Sequence, residues 1–116
     1  MSSLVEQATK NPAGYLDASV RQVHATLGSV RIVDVREPEE FTGDLGHIEG
    51  SELVPLGTVE SASMGWDKSV PIVFICRSGN RSGRAAQALR MRGFETTINM
   101  LGGMLQWNAE RLPVVR

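Results

Sequence analysis

The only cysteine in the sequence, Cys76, stands where a thiol could act as a nucleophile. It follows the apolar run Val70–Ile75 and precedes Arg77–Ser82, a segment of two arginines, one glycine and three small polar residues. We expect the apolar run to be a buried strand and the segment to lead into a helix. The reactive form of cysteine is the thiolate, whereas an ordinary free thiol is mostly protonated at neutral pH. The position of this cysteine therefore predicts sulfur chemistry, provided that its surroundings favour the thiolate.

Three features of the segment are expected to lower the pKa of this thiol. The backbone amides of residues 77–82 could curl around the sulfur as an anion-binding nest, for which Gly79 supplies the necessary backbone freedom. A helix that begins near Ser82 would point its positive end at the same place. Arg77 and Arg81 would add full positive charges. The alternative is an inert buried cysteine, but a purely structural turn does not require this composition, which favours a functional site.

Strands and helices alternate along the chain, which predicts an α/β domain with a mainly parallel sheet. Strands are predicted at 31–35, 70–75 and 96–100, with a short one at 52–56. Helices are predicted at 17–27, 37–41, 84–92 and 103–111. Residues 1–14 are predicted to form an N-terminal arm or short helix, and residues 15–116 the domain. Such folds bind ligands at the carboxyl ends of their strands, and Cys76 follows one of those ends, so a functional site is expected there.

Bulk composition narrows the class of protein. At 116 residues and 41% hydrophobic content the chain fits one globular domain, and its net charge of −1 gives no reason to expect nucleic acid or an acidic membrane as a partner. Charge is unevenly distributed, since residues 76–92 contain five arginines and no acidic residue. The N-terminal residues lack a signal-peptide pattern, and no apolar stretch approaches the roughly 18 residues of a membrane span. We expect a cytoplasmic protein.

The remaining polar residues suggest support for the site but no metal centre. A single cysteine excludes an intramolecular disulfide, and with only His24 and His47 beside it the chain lacks zinc-site spacing, so no metal or cofactor is expected. Asp34 and Arg36 end a predicted strand and are expected to support the cysteine loop, whereas His47 is interpreted as structural. With no second cysteine to resolve it, any sulfur carried on the thiol must pass to another molecule.

Four segments, in this order and spacing, resemble the signatures of the rhodanese-like single-domain sulfurtransferases. They are Ile-Val-Asp-Val-Arg (32–36), Gly-His-Ile-Glu-Gly-Ser (46–51), Cys-Arg-Ser-Gly-Asn-Arg-Ser (76–82) and Leu-Gly-Gly-Met-Leu-Gln-Trp (101–107). The resemblance covers about residues 15–115. It implies a rhodanese-like fold, in which an about five-stranded, mainly parallel sheet carries helices on both faces.

The resemblance also implies a reaction. Cys76 would accept a sulfane sulfur from a donor such as thiosulfate, become a persulfide, and pass the sulfur to cyanide or to a thiol acceptor such as thioredoxin or glutathione. The implied substrate-binding residues are Arg77, Ser78, Gly79, Asn80, Arg81 and Ser82, with the two arginines as anion-binding side chains.

Two alternatives remain open from the sequence. A cysteine phosphatase or arsenate reductase also uses a thiolate in an anion-binding loop, but phosphatase loops place an arginine six positions after the cysteine. Here Ser82 occupies that position and Arg81 comes one residue early, which favours a loop sized for sulfur. A persulfide carrier that delivers sulfur to a partner protein needs the same loop as an enzyme. Nothing in the sequence marks an oligomer interface, so a monomer is the default expectation.

Overall fold

A single six-stranded sheet organises the chain in the computed structural model, which describes residues 3–116. The strands are β1 (Thr9–Lys10), β2 (Leu16–Ala18), β3 (Arg31–Asp34), β4 (Glu52–Leu53), β5 (Ile72–Ile75) and β6 (Thr97–Met100). The α-helices are α1 (Leu4–Gln7), α2 (Val20–Ala25), α3 (Pro38–Phe41), α4 (Val59–Ala62), α5 (Asn80–Met91) and α6 (Gly103–Ala109). Single 3₁₀ turns at Leu56–Thr58 and Ser63–Gly65 flank α4.

The strand order across the sheet is β1-β2-β6-β5-β3-β4. Five neighbouring strands, β2 to β4 in that order, run parallel, and β1 is antiparallel at one edge. The predicted α/β fold with about five mainly parallel strands is therefore confirmed. The antiparallel edge strand β1 is an addition that the sequence pattern did not indicate.

Both faces of the sheet are covered, because the central strands are apolar at successive positions. All four residues of β5 are buried; Val73 and Ile75 join one core cluster, whereas Ile72 and Phe74 join the other. The first cluster also contains apolar residues of α1, α2 and α6, and the second contains residues of α4 and α5. The strand that leads to Cys76 is thus held from both sides.

Two predicted helix boundaries are wrong. The helix predicted over 17–27 extends only over Val20–Ala25, because Leu16–Ala18 pairs with β6 as a strand and Ser19 caps the helix in a reciprocal hydrogen-bond arrangement with Gln22. The helix predicted at 84–92 begins earlier, at Asn80. The other predicted elements occur in the structure with shorter bounds, and α4 was not predicted.

The N-terminal segment contacts the domain. Leu4 of α1 is only 2% exposed and belongs to the first core cluster, while β1 pairs with β2. The division into an arm at 1–14 and a domain at 15–116 stays a prediction. Within residues 3–116, no helix has the length and apolar character needed to cross a membrane.

Candidate active site

Cys76 directly follows β5, and its sulfur lies beneath the first turn of α5. The backbone reverses at Gly79, whose φ of +104° is accessible mainly to glycine, and α5 begins at the next residue. The Gly79 amide donates to Cys76 Sγ at 3.0 Å, and Ser82 Oγ lies 3.2 Å from the same sulfur. Cys76 is 1% exposed. Gly79 and Ser82 of the predicted segment thus contact the sulfur, while the cradle role of residues 77–82 stays a prediction.

Opposing effects act on the pKa of the Cys76 thiol. Burial raises it, because a thiolate loses hydration there. Hydrogen bonds from the Ser82 side chain and from the backbone amides of Ser82, Gly79 and Ser78 lower it and outweigh burial, which leaves the pKa below the ordinary value of 9.0. The loop therefore favours the nucleophilic form through hydrogen bonds.

The cysteine loop is anchored from behind by the start of α6. The amide of Met104 donates to the Cys76 carbonyl at 2.9 Å, and the amide of Leu105 donates to the Arg77 carbonyl at 3.0 Å. This approach needs a glycine at position 103, because a Cβ there would lie 2.5 Å from the carbonyl oxygens of residues 76 and 77. The Gly-Gly pair of the fourth sequence motif thus brings the helix terminus against the loop.

Arg81 is held by a carboxylate of another element. Its two terminal nitrogens donate to Glu40 Oε1 at 2.7 Å and Oε2 at 2.8 Å, a bidentate pair that joins α5 to α3. This hydrogen bonding, opposed by partial burial, lowers the pKa of Glu40 to about 2. Arg77, in contrast, is exposed and makes no ion pair within residues 3–116. The positive charge of Arg81 is therefore paired with a carboxylate, whereas, in the part of the chain that the structure describes, that of Arg77 is not.

Asp34 and Arg36 form a buried ion pair behind α3. Arg36 Nη2 lies 2.8 Å from Asp34 Oδ2, and the same guanidinium donates to the carbonyls of Glu40 and Gly46. Because the Glu40 side chain holds Arg81, this pair is linked to the helix after the cysteine loop through α3. The geometry suits the support role predicted for these two residues.

A cleft of about 480 Å³ opens beside the loop, between α3 and the segment that follows it. Arg77, Glu39 and Asp44 are among the residues that line this cleft. The cleft is at the carboxyl edge of the parallel strands, where folds of this kind hold ligands. The cleft thus reaches Arg77, the residue that follows Cys76.

Neither histidine is placed for catalysis. His47 Nδ1 lies 2.8 Å from the Phe41 carbonyl, so this nitrogen carries the proton, and the imidazole stacks on the Phe41 ring at 3.6 Å. His24 meets Trp107 edge to face. Both contacts are structural, as interpreted from the sequence for His47.

Glu40, Asn99 and Gly103 frame the loop, but the sequence reasoning gave none of them a site role, although Gly103 belongs to the fourth motif. Asn99 is 5% exposed within the otherwise apolar end of β6, and its Oδ1 accepts a 2.6 Å hydrogen bond from Ser82. A polar residue in a buried strand is a signal that could have identified it.

The structure combines a parallel sheet, flanked by helices, with a buried thiol in an amide-lined loop at the carboxyl edge of that sheet. This combination is typical of proteins that bind sulfur or small anions at a cysteine. The comparison with protein families makes the class specific: the rhodanese-like domain model matches residues 19–110. The chain belongs to the rhodanese-like family, whose named relatives include sulfurtransferases and a sulfur carrier.

Two Bacillus subtilis proteins illustrate the relationship. The putative sulfur carrier protein YrkF is 36% identical over 105 residues, which cover 90% of this chain and 55% of that protein. The putative sulfurtransferase YtwF is 38% identical over 82 residues, which cover 71% of this chain and 77% of that protein. This chain thus spans about half the length of YrkF, and likewise 48% of a Synechocystis relative.

Solved structures agree with the fold. A rhodanese-like domain protein from Staphylococcus aureus superposes with a TM-score of 0.73 at 27% identity, covering 86% of this chain and 98% of that one. The human single-domain sulfurtransferase TSTD1 superposes with a TM-score of 0.71 at 26% identity, covering 82% of this chain and 96% of that one.

Proposed function

We propose that this protein is a thiosulfate sulfurtransferase of the rhodanese type, in which Cys76 carries the transferred sulfur. The observation that carries the proposal is the sulfur held by the Gly79 amide at 3.0 Å and by Ser82 Oγ at 3.2 Å. Hydrogen bonds at these positions stabilise a thiolate at a buried sulfur. Relatives named thiosulfate sulfurtransferases, such as GlpE of Pseudoalteromonas translucida at 35% identity, support the choice of donor.

The reaction has two steps, both at the Cys76 sulfur. In the first, the thiolate attacks the outer sulfur of thiosulfate, a new S–S bond forms, and the S–S bond of thiosulfate breaks to release sulfite. In the second, cyanide or an acceptor thiolate attacks the outer sulfur of the persulfide, which regenerates the Cys76 thiolate. Because the reacting form is the thiolate, which the hydrogen bonds of the loop favour, neither step needs a general base from the protein.

The substrate-binding roles follow from charge and position. Arg77 lines the cleft, makes no ion pair within residues 3–116 and is assigned to the anionic end of the donor. Arg81 is assigned to the same anion through the hydrogen-bonding capacity that remains after its pairing with Glu40. The amides of Ser78, Gly79 and Ser82 hold the sulfur itself. A thiol such as glutathione or thioredoxin is the proposed physiological acceptor, in the reducing setting of a cytoplasm.

The decisive experiment is intact-mass measurement after incubation with thiosulfate. We expect the wild-type protein to gain the mass of one sulfur atom and to lose it on addition of cyanide or dithiothreitol. Cys76→Ser should keep its circular dichroism spectrum and its thermal midpoint, gain no sulfur, and show no thiosulfate:cyanide turnover. Retained turnover in the cysteine variant would sink the mechanism.

The persulfide-carrier function is a second candidate, favoured by the match to a putative sulfur carrier over 90% of this chain. A carrier and an enzyme share the first step and differ in the second. A persulfide that forms with thiosulfate but releases its sulfur to neither cyanide nor glutathione would identify a carrier that requires a partner protein. Repeated turnover with either small acceptor would identify the enzyme.

A further inference from the structure

A chain of hydrogen bonds leads from the Cys76 sulfur across the sheet. Ser82 Oγ, which is 3.2 Å from the sulfur, donates its proton to Asn99 Oδ1 at 2.6 Å. Asn99 Nδ2 in turn donates to Asp17 Oδ1 at 3.3 Å, which reaches from β6 to β2. Ser82 is fully buried and Asn99 is 5% exposed, so water competes little for these bonds. This series of hydrogen bonds connects the thiol to the carboxylate of Asp17 on β2, a strand that the proposed reaction does not use.

The side-chain amide orientations beyond Ser82 are fixed, whereas either atom of the Cys76–Ser82 contact could be the donor. Asp17 can only accept as a carboxylate, so Asn99 must turn its NH₂ group to Asp17 and its carbonyl oxygen to Ser82. At the far end, Asn11 Nδ2 donates to Asp17 Oδ2 at 3.0 Å, while Asn11 Oδ1 accepts from the Ala13 amide at 2.9 Å. Because a backbone amide can only donate, the Ala13 contact fixes the orientation of the Asn11 side chain as well.

The Ser82 hydroxyl has one proton but two acceptors within reach. When that proton points at Asn99, the Ser82 oxygen can accept a hydrogen bond from the protonated Cys76 thiol. When Cys76 ionises and its proton passes to solvent, the thiolate needs the Ser82 proton, and the hydroxyl must rotate away from Asn99. Asn99 therefore competes with the sulfur for a single proton.

We propose that Asp17 and Asn99 are positioning residues that act through the Ser82 hydroxyl to set how readily Cys76 ionises. Asp17 fixes the orientation of the Asn99 amide, and the Asn99 oxygen draws the Ser82 proton away from the sulfur. The chain thereby opposes the loop amides and restrains the thiol from ionising too readily. Arg81 has the opposite effect, because its positive charge interacts with Cys76 and favours the thiolate.

Asp17→Asn reverses the restraint without touching the thiol. Asn11 Nδ2 would occupy the oxygen of the new amide at position 17, and the NH₂ group of that amide would then face Asn99. Asn99 would have to flip, offering its oxygen to position 17 and its NH₂ group to Ser82. The Ser82 oxygen would accept from this NH₂ group, which releases the hydroxyl proton to the sulfur. We expect the pKa of Cys76 to fall by about one unit.

The test is the pH dependence of Cys76 alkylation by iodoacetamide in the full chain. Loss of the Asp17 charge would lower the pKa somewhat by itself, so the substitution is made in two backgrounds. Between the wild type and D17N, which both have Ser82, the expected shift in the pKa of Cys76 is about one unit. Between S82A and D17N/S82A, which both lack the hydroxyl, most of that shift should be absent. A residue with only a structural role would not make the pKa depend on a distant hydroxyl.

Two outcomes would overturn the proposal. An equal shift in both backgrounds would mean that Asp17 acts by charge alone, and no shift in either would mean that the chain does not reach the sulfur. If D17N does not fold, Asn99→Ala serves instead, because removal of the competing acceptor should also lower the pKa only where Ser82 is present. The inference rests on Cys76 as the reacting thiol, but alkylation requires no sulfur donor, so the proposed sulfurtransferase activity can fail independently.

Discussion

The sequence and the structure indicate different roles for the Arg81 side chain. The loop composition predicts an anion-binding arginine, whereas the side chain also makes a bidentate pair with Glu40 at 2.7 and 2.8 Å. The hydrogen bond with Glu40 is the main cause that raises the pKa of Arg81, so its charge is secure at any relevant pH. Much of that charge is offset locally, which leaves Arg77 as the stronger attraction for an incoming anion.

The Glu40 pair should make part of the stability of the protein acid-sensitive. The pKa of Glu40 is lowered from 4.5 to about 2, so the unfolded chain takes up the proton first as pH falls. The contribution is complete above about pH 4.5 and is lost between that value and about 2. Glu40→Gln should lower the free energy of unfolding by about 1 kcal/mol at pH 7 and by less at pH 3, as measured by urea denaturation.

Glu39→Gln provides the matched control, because Glu39 lies on the same short helix but makes no ion pair within residues 3–116. We expect little change in its free energy of unfolding at either pH. If Glu40→Gln and Glu39→Gln behave alike at pH 7, the ion pair contributes nothing measurable to stability.

At the level of the elements, the site depends on how closely α6 approaches the cysteine loop. The first helical residue, Gly103, has a φ of +57°, and a Cβ there would lie 2.5 Å from backbone atoms of the loop. Backbone atoms cannot move aside as a flexible side chain can. The amides of Met104 and Leu105 reach the loop carbonyls only because this side chain is missing.

Gly103→Ala should therefore displace the loop as well as destabilise the fold. We expect a loss of more than about 2 kcal/mol in the free energy of unfolding, from steric overlap added to backbone strain. The alkylation rate of Cys76 should change in the same variant, because the loop that holds the sulfur must shift. Urea denaturation and iodoacetamide kinetics measure the two effects.

The comparison variant is Gly50→Ala. Gly50 also has a positive φ, of +88°, but a Cβ there would meet nothing within 4 Å. It should show backbone strain alone, about 1 kcal/mol, with unchanged alkylation of Cys76. Equal losses in the two variants would show that α6 can retreat from the loop at no cost.

The elements that local pattern predicts well are those with a continuous buried face. The run that becomes β5 and the loop after it are predicted directly from the sequence. Leu16 lies outside the predicted strands, because its spacing to Val20 and Val23 suits a helix and β2 has only three residues. Its strand character comes from pairing with Ile98, far along the chain, which no local window contains.

The partners of the site were harder to predict than its nucleophile. Glu40 is one of three acidic residues in four positions, and only the orientation of α3 decides that it meets Arg81. Asn99 is visible as a polar residue in a buried strand, but its contact with Ser82 requires the register of β6 against α5. Motifs identify the chemistry, and the tertiary arrangement supplies the groups that tune it.

At the scale of the whole molecule, the N-terminal segment raises the question of where the domain begins. The family model matches from residue 19, yet α1 lies before it and places Leu4 in the core cluster shared with α2 and α6. The helix α6 in turn holds the cysteine loop. The segment before the matched region thus contacts the same core that supports the site, which suggests that it is an integral part of the domain.

Substitution of two adjacent residues distinguishes an integral segment from a separate arm. Leu4 is 2% exposed and its neighbour Val5 is 37% exposed on the same helix. Leu4→Ala should lower the free energy of unfolding by about 2–3 kcal/mol because it leaves a cavity, whereas Val5→Ala should change it by less than about 0.5 kcal/mol. Both variants should alkylate Cys76 at the wild-type rate, since β5 and α5 keep the loop in place. If both variants unfold like the wild type, residues 1–14 are an arm that the domain at 15–116 does not need.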